Sequence, residues 1–296
     1  MQEFTIRDIE NLTGIKAHTL RIWELRYNMF KTKRKQSLHR IYDNEDLKQM
    51  LRVSFLYHQG WKISKIAALN PQTIEEHVRN SVPGKPSGEL YINRLLEKAV
   101  DFDEYGFISL LNEVMEQLGF EKGITQVCYP YLIKLGHLWS TNNVIPAQEH
   151  FSSYIIQNRI IAETEKLTLP GKSPEIILFS PKGEKHELPL LFVNYLMKKH
   201  GWGTLYMGVS VRLEELEKFA QLPGINTIYM HLITNLSGFT LDDLMERICV
   251  KFPGKSIIGA GRGFHLLQRK FTNLQLLLND DAILGFIKNK NHLGST

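Results

Sequence analysis

A chain of 296 residues is long enough for about two domains. Its 43% hydrophobic and 23% charged residues are the balance of a globular protein with real cores. No apolar run approaches the roughly 18 residues of a membrane span, and the start MQEFTIRDIE does not read as a signal peptide. Two cysteines, Cys128 and Cys249, cannot make a disulfide framework, so a reducing cytoplasm is the expected setting. The net charge is only +5, but it is unevenly spread. Residues 1–85 hold 15 Lys and Arg against 9 Asp and Glu, a net of +6, which leaves −1 for the rest. Residues 31–40 (KTKRKQSLHR) are half basic with no acid. That asymmetry marks either a nucleic-acid-binding end or a solvated basic loop.

In chain order, Thr5 caps a predicted helix over 6–12 and Gly14 breaks it. A second helix covers 17–26, with Leu20, Trp23 and Leu25 available for packing. After the basic loop, Asp43 caps a third over 46–58, Gly60 ends it, and Ser64 opens a short fourth through Leu69. Helix, tight turn, helix and basic extended loop is the plan of a winged helix-turn-helix, placed at 1–78. Residues 79–87, ending in PGKPS, read as a linker. From 88 to 170 there is no strand-like alternation, and four helical segments predict an antiparallel four-helix bundle. From 174 to 296 the period changes. Apolar runs at 175–180, 204–207, 226–232 and 256–259 alternate with helices at 188–200, 213–221 and 241–252. This predicts a flavodoxin-like (Rossmann-type) parallel sheet, so the fold class is multi-domain α and α/β.

A helix starting near Ala17 places His18, Thr19, Arg21 and Arg26 where an exposed face can enter a major groove. Lys33, Arg34, Lys35, His39 and Arg40 fall along the wing, where they would neutralise phosphates. Arg40 could instead bridge to Glu45 or Asp46. Tyr42 is open to two readings, a hydrogen bond to phosphate or a packed residue capping the third helix. In the bundle, Trp139, Glu149 and His150 could equally be a core residue, a solvent-facing acid and a satisfied histidine.

The segment TIRDIENLTGIKAHTLRIWELRY, followed by RIYDNEDL, resembles the MerR-type regulators across about 70 residues. The matching positions are Thr19, Leu20, Arg21, Trp23, Glu24, Arg40, Tyr42 and Asp46. The spacing from Trp139 to Glu149-His150 is similar to the W-x9-EH motif of the cobalamin-binding light sensors attached to such domains. The resemblance implies that Trp139 covers the upper face of a cobalamin and that Glu149 and His150 line the surrounding pocket. Glu184-Lys185-His186 looks like the E/D-x-H motif of cobalamin-binding flavodoxin-like domains. There His186 would be the lower cobalt ligand, oriented by Glu184.

The sequence departs from that pattern in three places. Pro189 stands where the family has Gly, His231 where a serine lies near the nucleotide tail, and Gly259-Ala260 where two glycines admit it. Two outcomes follow: a modified mode of binding adenosylcobalamin or methylcobalamin, or a retained fold that has lost the ligand and serves protein interaction or oligomerisation. The leading implication is a cytoplasmic, nucleoid-associated bacterial repressor. It would act as a dimer or tetramer on a palindromic double-stranded operator, without membrane contact, under control of light-sensitive cobalamin. A third class, a cobalamin-dependent methyltransferase module, is disfavoured by the helix-turn-helix and by the lack of room for a substrate domain. A non-enzyme is expected.

Overall fold

A computed structural model describes residues 3–30, 33–34, 40–80, 88–140, 146–167, 171, 173–234 and 240–290. The side chains of 33–34, 137–140 and 146 lie outside that description. The chain forms two compact units, residues 1–155 and 156–296, so the helix-turn-helix and most of the bundle share one unit.

In the first unit, α1 (Ile6–Thr13) opens on a capping box. The Thr5 N–H donates to the Asp8 carboxylate at 2.7 Å, and the Asp8 N–H donates back to the Thr5 hydroxyl. Gly14, at φ 70°, takes the left-handed turn that closes α1. The Glu10 carboxylate then accepts the Ala17 N–H at 3.1 Å, capping α2 (Ala17–Tyr27) from the preceding helix. The wing strands β1 (Lys33–Arg34) and β2 (Arg40–Ile41) pair antiparallel, and a bridge from Phe4 to Tyr42 ties in the chain start. A second capping box, Asp43 with Asp46, starts α3 (Asn44–His58). The predicted fourth helix is shorter, α4 (Ile63–Ile66), and it is followed by α5 (Pro71–Asn80), which is absent from the predicted set. Pro71 is its first residue, where a missing N–H costs nothing.

The bundle consists of α6 (Gly88–Val100), α7 (Glu104–Leu118), a continuous run of α8 (Phe120–Gly123), a π-helical turn at Ile124–Cys128 and α9 (Tyr129–Ser140), and then α10 (Pro146–Glu165). Phe107 anchors it, edge-on to Tyr131 at 5.6 Å and to Phe151 at 6.1 Å between ring centroids. The helix-turn-helix docks on this bundle through charge. Arg52 of α3 reaches Glu97 of α6 at 2.8 Å and Glu75 of α5 at 2.9 Å, and Lys48 reaches Asp101 at 2.8 Å.

The second unit is a five-stranded parallel sheet in the order β4-β3-β5-β6-β7. Its strands are β3 (Ile176–Pro181), β4 (Thr204–Val211), β5 (Thr227–His231), β6 (Ser256–Ala260) and β7 (Leu274–Leu277). Helices α11 (Leu188–Lys199), α12 (Leu213–Ala220), α13 (Leu241–Lys251) and α14 (Asp280–Lys288) connect or follow them. Every residue of β3 and β5 is buried, as expected for central strands covered on both faces. The order is that of doubly wound flavodoxin-like sheets, with its switch point where the loops after β3 and β5 diverge. β7 and α14 are additions to the predicted set; β7 is a short, partly exposed edge strand.

Candidate functional sites

Leu20 and Trp23 are the buried side of α2, and Trp23 packs edge-on against Tyr57 of α3 at 4.9 Å between ring centroids. That packing turns the opposite stripe outward. His18, Arg21 and Arg26 are exposed on it, and half-buried Thr19 places its hydroxyl 3.3 Å from the His18 ring. The Arg26 guanidinium lies 5.6 Å from the centre of the Tyr27 ring. The structure therefore brings these four predicted residues onto one helix. Leu25, expected to pack, is instead 79% exposed.

Lys33 and Arg34 form β1, while Lys35 and His39 lie outside the described residues. Two wing residues differ from expectation. Arg40 pairs with Glu24 at 2.7 Å, because Asp46 is occupied in its capping box and Glu45 faces Lys48. A phosphate approaching Arg40 would compete with that carboxylate. Tyr42 is 1% exposed. Burial, then the Glu24 charge, pushes its phenol up to about 12, and a side chain so enclosed is not presented to phosphate.

In the bundle, Trp139 lies in α9, but its side chain lies outside the described residues. Glu149 and His150 occupy the first turn of α10, with the carboxylate 3.2 Å from His150 Nδ1. Glu149 is half-buried and His150 exposed.

The best-organised polar cluster sits at the switch point. Glu184, in the loop after β3, is fully buried as a side chain. One carboxylate oxygen accepts the His186 N–H at 2.8 Å and lies 2.7 Å from His186 Nδ1. The other accepts the N–H groups of Ile233 and Thr234, each at 2.8 Å, and the Thr234 hydroxyl at 3.0 Å. Burial alone would raise this carboxyl. The His186 ring and the three backbone N–H donors reverse that and hold it well below the usual carboxylate range. An ionised Glu184 can only accept, so Nδ1 carries the proton and the lone pair of a neutral His186 sits on Nε2. The His186 side chain is 54% exposed at the carboxyl edge of the sheet, and an imidazole is a donor type that transition metals take.

Pro189 does not disturb the loop. It is the second residue of α11, where proline is tolerated. The tail side differs. His231 is buried, with Nδ1 3.3 Å from the Tyr229 hydroxyl, and burial pushes its pKa down to about 4. Ala260 is fully buried. The Phe264 ring lies against Gly259 so closely that a Cβ there would come within 2.5 Å of it. The donor loop thus fits the lower face of a corrin, whereas the slot expected beside Gly259 is filled by this chain's own side chains. Sequence reasoning missed Thr234 and Phe264. Thr234 follows a strand end as a loop hydroxyl, and Phe264 carries no local signal.

The comparisons with known proteins bear on the helix-turn-helix, the bundle and the chain as a whole. Residues 4–72 match the MerR HTH family regulatory protein model, and residues 91–162, within the helical bundle, match the B12 binding domain model. The HTH-type transcriptional repressor CarH of Myxococcus xanthus is 23% identical over 257 residues, covering 84% of this chain and 85% of that protein. The repressor CarA of the same organism is 24% identical over 254 residues, covering 84% of each. The solved monomethylamine corrinoid protein of Methanosarcina barkeri shares the fold, with a TM-score of 0.52 at 15% identity over 67% of this chain and 97% of that one. This chain joins a MerR-type helix-turn-helix domain to a B12-binding domain and is homologous over most of its length to the Myxococcus repressors CarH and CarA.

Proposed function

We propose that the protein is a DNA-binding transcriptional repressor whose operator binding is controlled by a cobalamin held at the His186 loop. The observation that carries this reading is the buried Glu184 carboxylate fixing His186 at the switch point of a chain that begins with a helix-turn-helix. In it, α2 and the wing supply DNA affinity, with His18, Thr19, Arg21, Arg26, Lys33, Arg34, Lys35 and His39 on the duplex side. Glu184 holds the imidazole proton on Nδ1 and presents Nε2 as the lower ligand. By the resemblance, Trp139, Glu149 and His150 are the bundle's candidates for ligand contact. When bound, adenosylcobalamin would supply a cobalt–carbon bond that light cleaves. Regulation then is linkage: a ligand that favours the DNA-competent dimer or tetramer must bind that assembly more tightly than the alternative.

The test mixes purified full-length protein with adenosylcobalamin in darkness, followed by gel filtration. Corrin absorbance should co-elute with the protein and fall in His186→Ala. Band shifts of the chain's own promoter DNA, in darkness and after illumination, should differ. A second reading rests on Phe264 and His231 filling the tail side: a regulator whose α/β domain takes no corrinoid. Retention of no corrin, together with cobalamin-independent DNA binding, would establish it in place of the first.

A further inference from the structure

The outward stripe of α2 contains two residues that the charge reading leaves out. Packing through Leu20 and Trp23 leaves His18, Arg21, Ile22, Leu25 and Arg26 exposed, at helical positions i, i+3, i+4, i+7 and i+8. Ile22 is 51% and Leu25 79% exposed. Two branched aliphatic side chains in the middle of a basic stripe contribute nothing to phosphate attraction, and they cost apolar surface in water. Scattered singly, such residues need no explanation. Here they are three residues apart on the outward face of a helix-turn-helix helix, with Arg21 before and Arg26 after them.

Resting on the DNA-binding reading above, we infer that Ile22 and Leu25 are specificity-determining residues that read the 5-methyl groups of thymine in the major groove. A major groove offers one apolar feature to such side chains, the thymine methyl, and it distinguishes T·A from C·G without a hydrogen bond. Arg21 and Arg26 on the same stripe draw that face to a polyanion and position it on the backbone. A protein partner of opposite charge would be an acidic surface with an apolar centre, and that is the competing outcome of the test.

The experiment selects duplexes from a random library with the full-length protein. Each thymine of the recovered half-site is then replaced, one at a time, by deoxyuridine, which keeps the base pair and removes only the methyl. At one or two positions the native protein should lose about fourfold in affinity, the value of one buried methyl. Ile22→Ala and Leu25→Ala should each abolish the thymine preference at one position, while their thermal melts match the parent, as exposed sites allow. Arg21→Ala instead should weaken thymine and deoxyuridine duplexes alike. Equal binding of every deoxyuridine duplex would overturn the inference while leaving DNA binding intact. Recovery of no duplex at all would overturn both. A change of oligomeric state in Leu25→Ala with unchanged duplex preference would also overturn it, assigning the face to protein contact.

Discussion

Glu97 and Glu184 are carboxylates taken out of water in different units of the same chain, and their proton affinities move in opposite directions. At Glu97, burial raises the pKa, and the Arg52 guanidinium, which Glu75 shares, opposes it only in part. At Glu184, burial also raises it, but an imidazole and three backbone N–H groups overturn the effect. The difference lies in what each donor costs to order. A guanidinium on a long stem must be immobilised and desolvated with its partner. Backbone N–H groups in loops fixed by adjacent strands are already oriented, so they solvate a charge with little further loss of freedom. One site is a junction whose carboxylate holds a proton more tightly in the fold than out of it; the other is a fixed acceptor that stays charged and keeps a histidine in one tautomer.

The sharpest way to break this contrast is Glu184→Ala. It strips the acceptor from three backbone N–H groups and the Thr234 hydroxyl, and it should destabilise the chain by about 4 kcal/mol in urea unfolding. A loss below about 1 kcal/mol would mean that those donors find other partners and the loop clasp is dispensable. Next in size is His231, buried and neutral with its pKa pushed down to about 4. The unfolded chain takes up that proton more readily than the fold does. Stability is therefore complete above the ordinary histidine value of 6.5 and declines as pH falls from there towards 4. The decline should reach about 3 kcal/mol, at roughly 1.4 kcal/mol per pH unit, and His231→Gln should lack it. Unfolding free energies at pH 7, 5.5 and 4.5 for both proteins would check this.

What the sequence makes legible is local chemistry. Thr5 with Gly14, and Asp43 with Gly60, mark α1 and α3 because caps and left-handed turns are short-range devices. The buried strands β3, β5 and β6 appear as apolar runs for the same reason. The pairing of Glu184 with His186 spans two residues and is readable, but its second oxygen bonds residues 49 and 50 positions later, which only the sheet brings near. Arg40 shows the same limit: the nearby acids Glu45 and Asp46 are committed elsewhere, and the partner is Glu24 on another helix. α5 escapes because Pro71 reads as a breaker although it opens the helix. β7 escapes because a partly exposed edge strand has no apolar run to announce it.

Of intermediate size is the junction itself. Arg52→Ala leaves Glu97, only 14% exposed, beside Glu75 with their shared guanidinium gone, and should cost about 2 kcal/mol. Its pH signature runs opposite to that of His231. The fold holds the Glu97 proton more tightly than the unfolded chain does, so this group's contribution weakens as pH rises past the ordinary carboxylate value near 4.5. Glu97→Gln should remove that slope and leave the His231 decline untouched. If both slopes vanish together, the two units do not titrate independently.

The smallest change is the most selective. Thr234→Val deletes one hydroxyl donor to Glu184 at 3.0 Å while keeping shape and the backbone N–H. The expected loss is about 1 kcal/mol, restored by Thr234→Ser. Because the other donors remain, Glu184 stays ionised, and nitrogen NMR of neutral His186 should still show the proton on Nδ1. Loss of that tautomer in Thr234→Val would make the hydroxyl the keystone of the clasp. Its persistence there, with loss in Glu184→Ala, would place the control of the histidine in the carboxylate and the backbone around it.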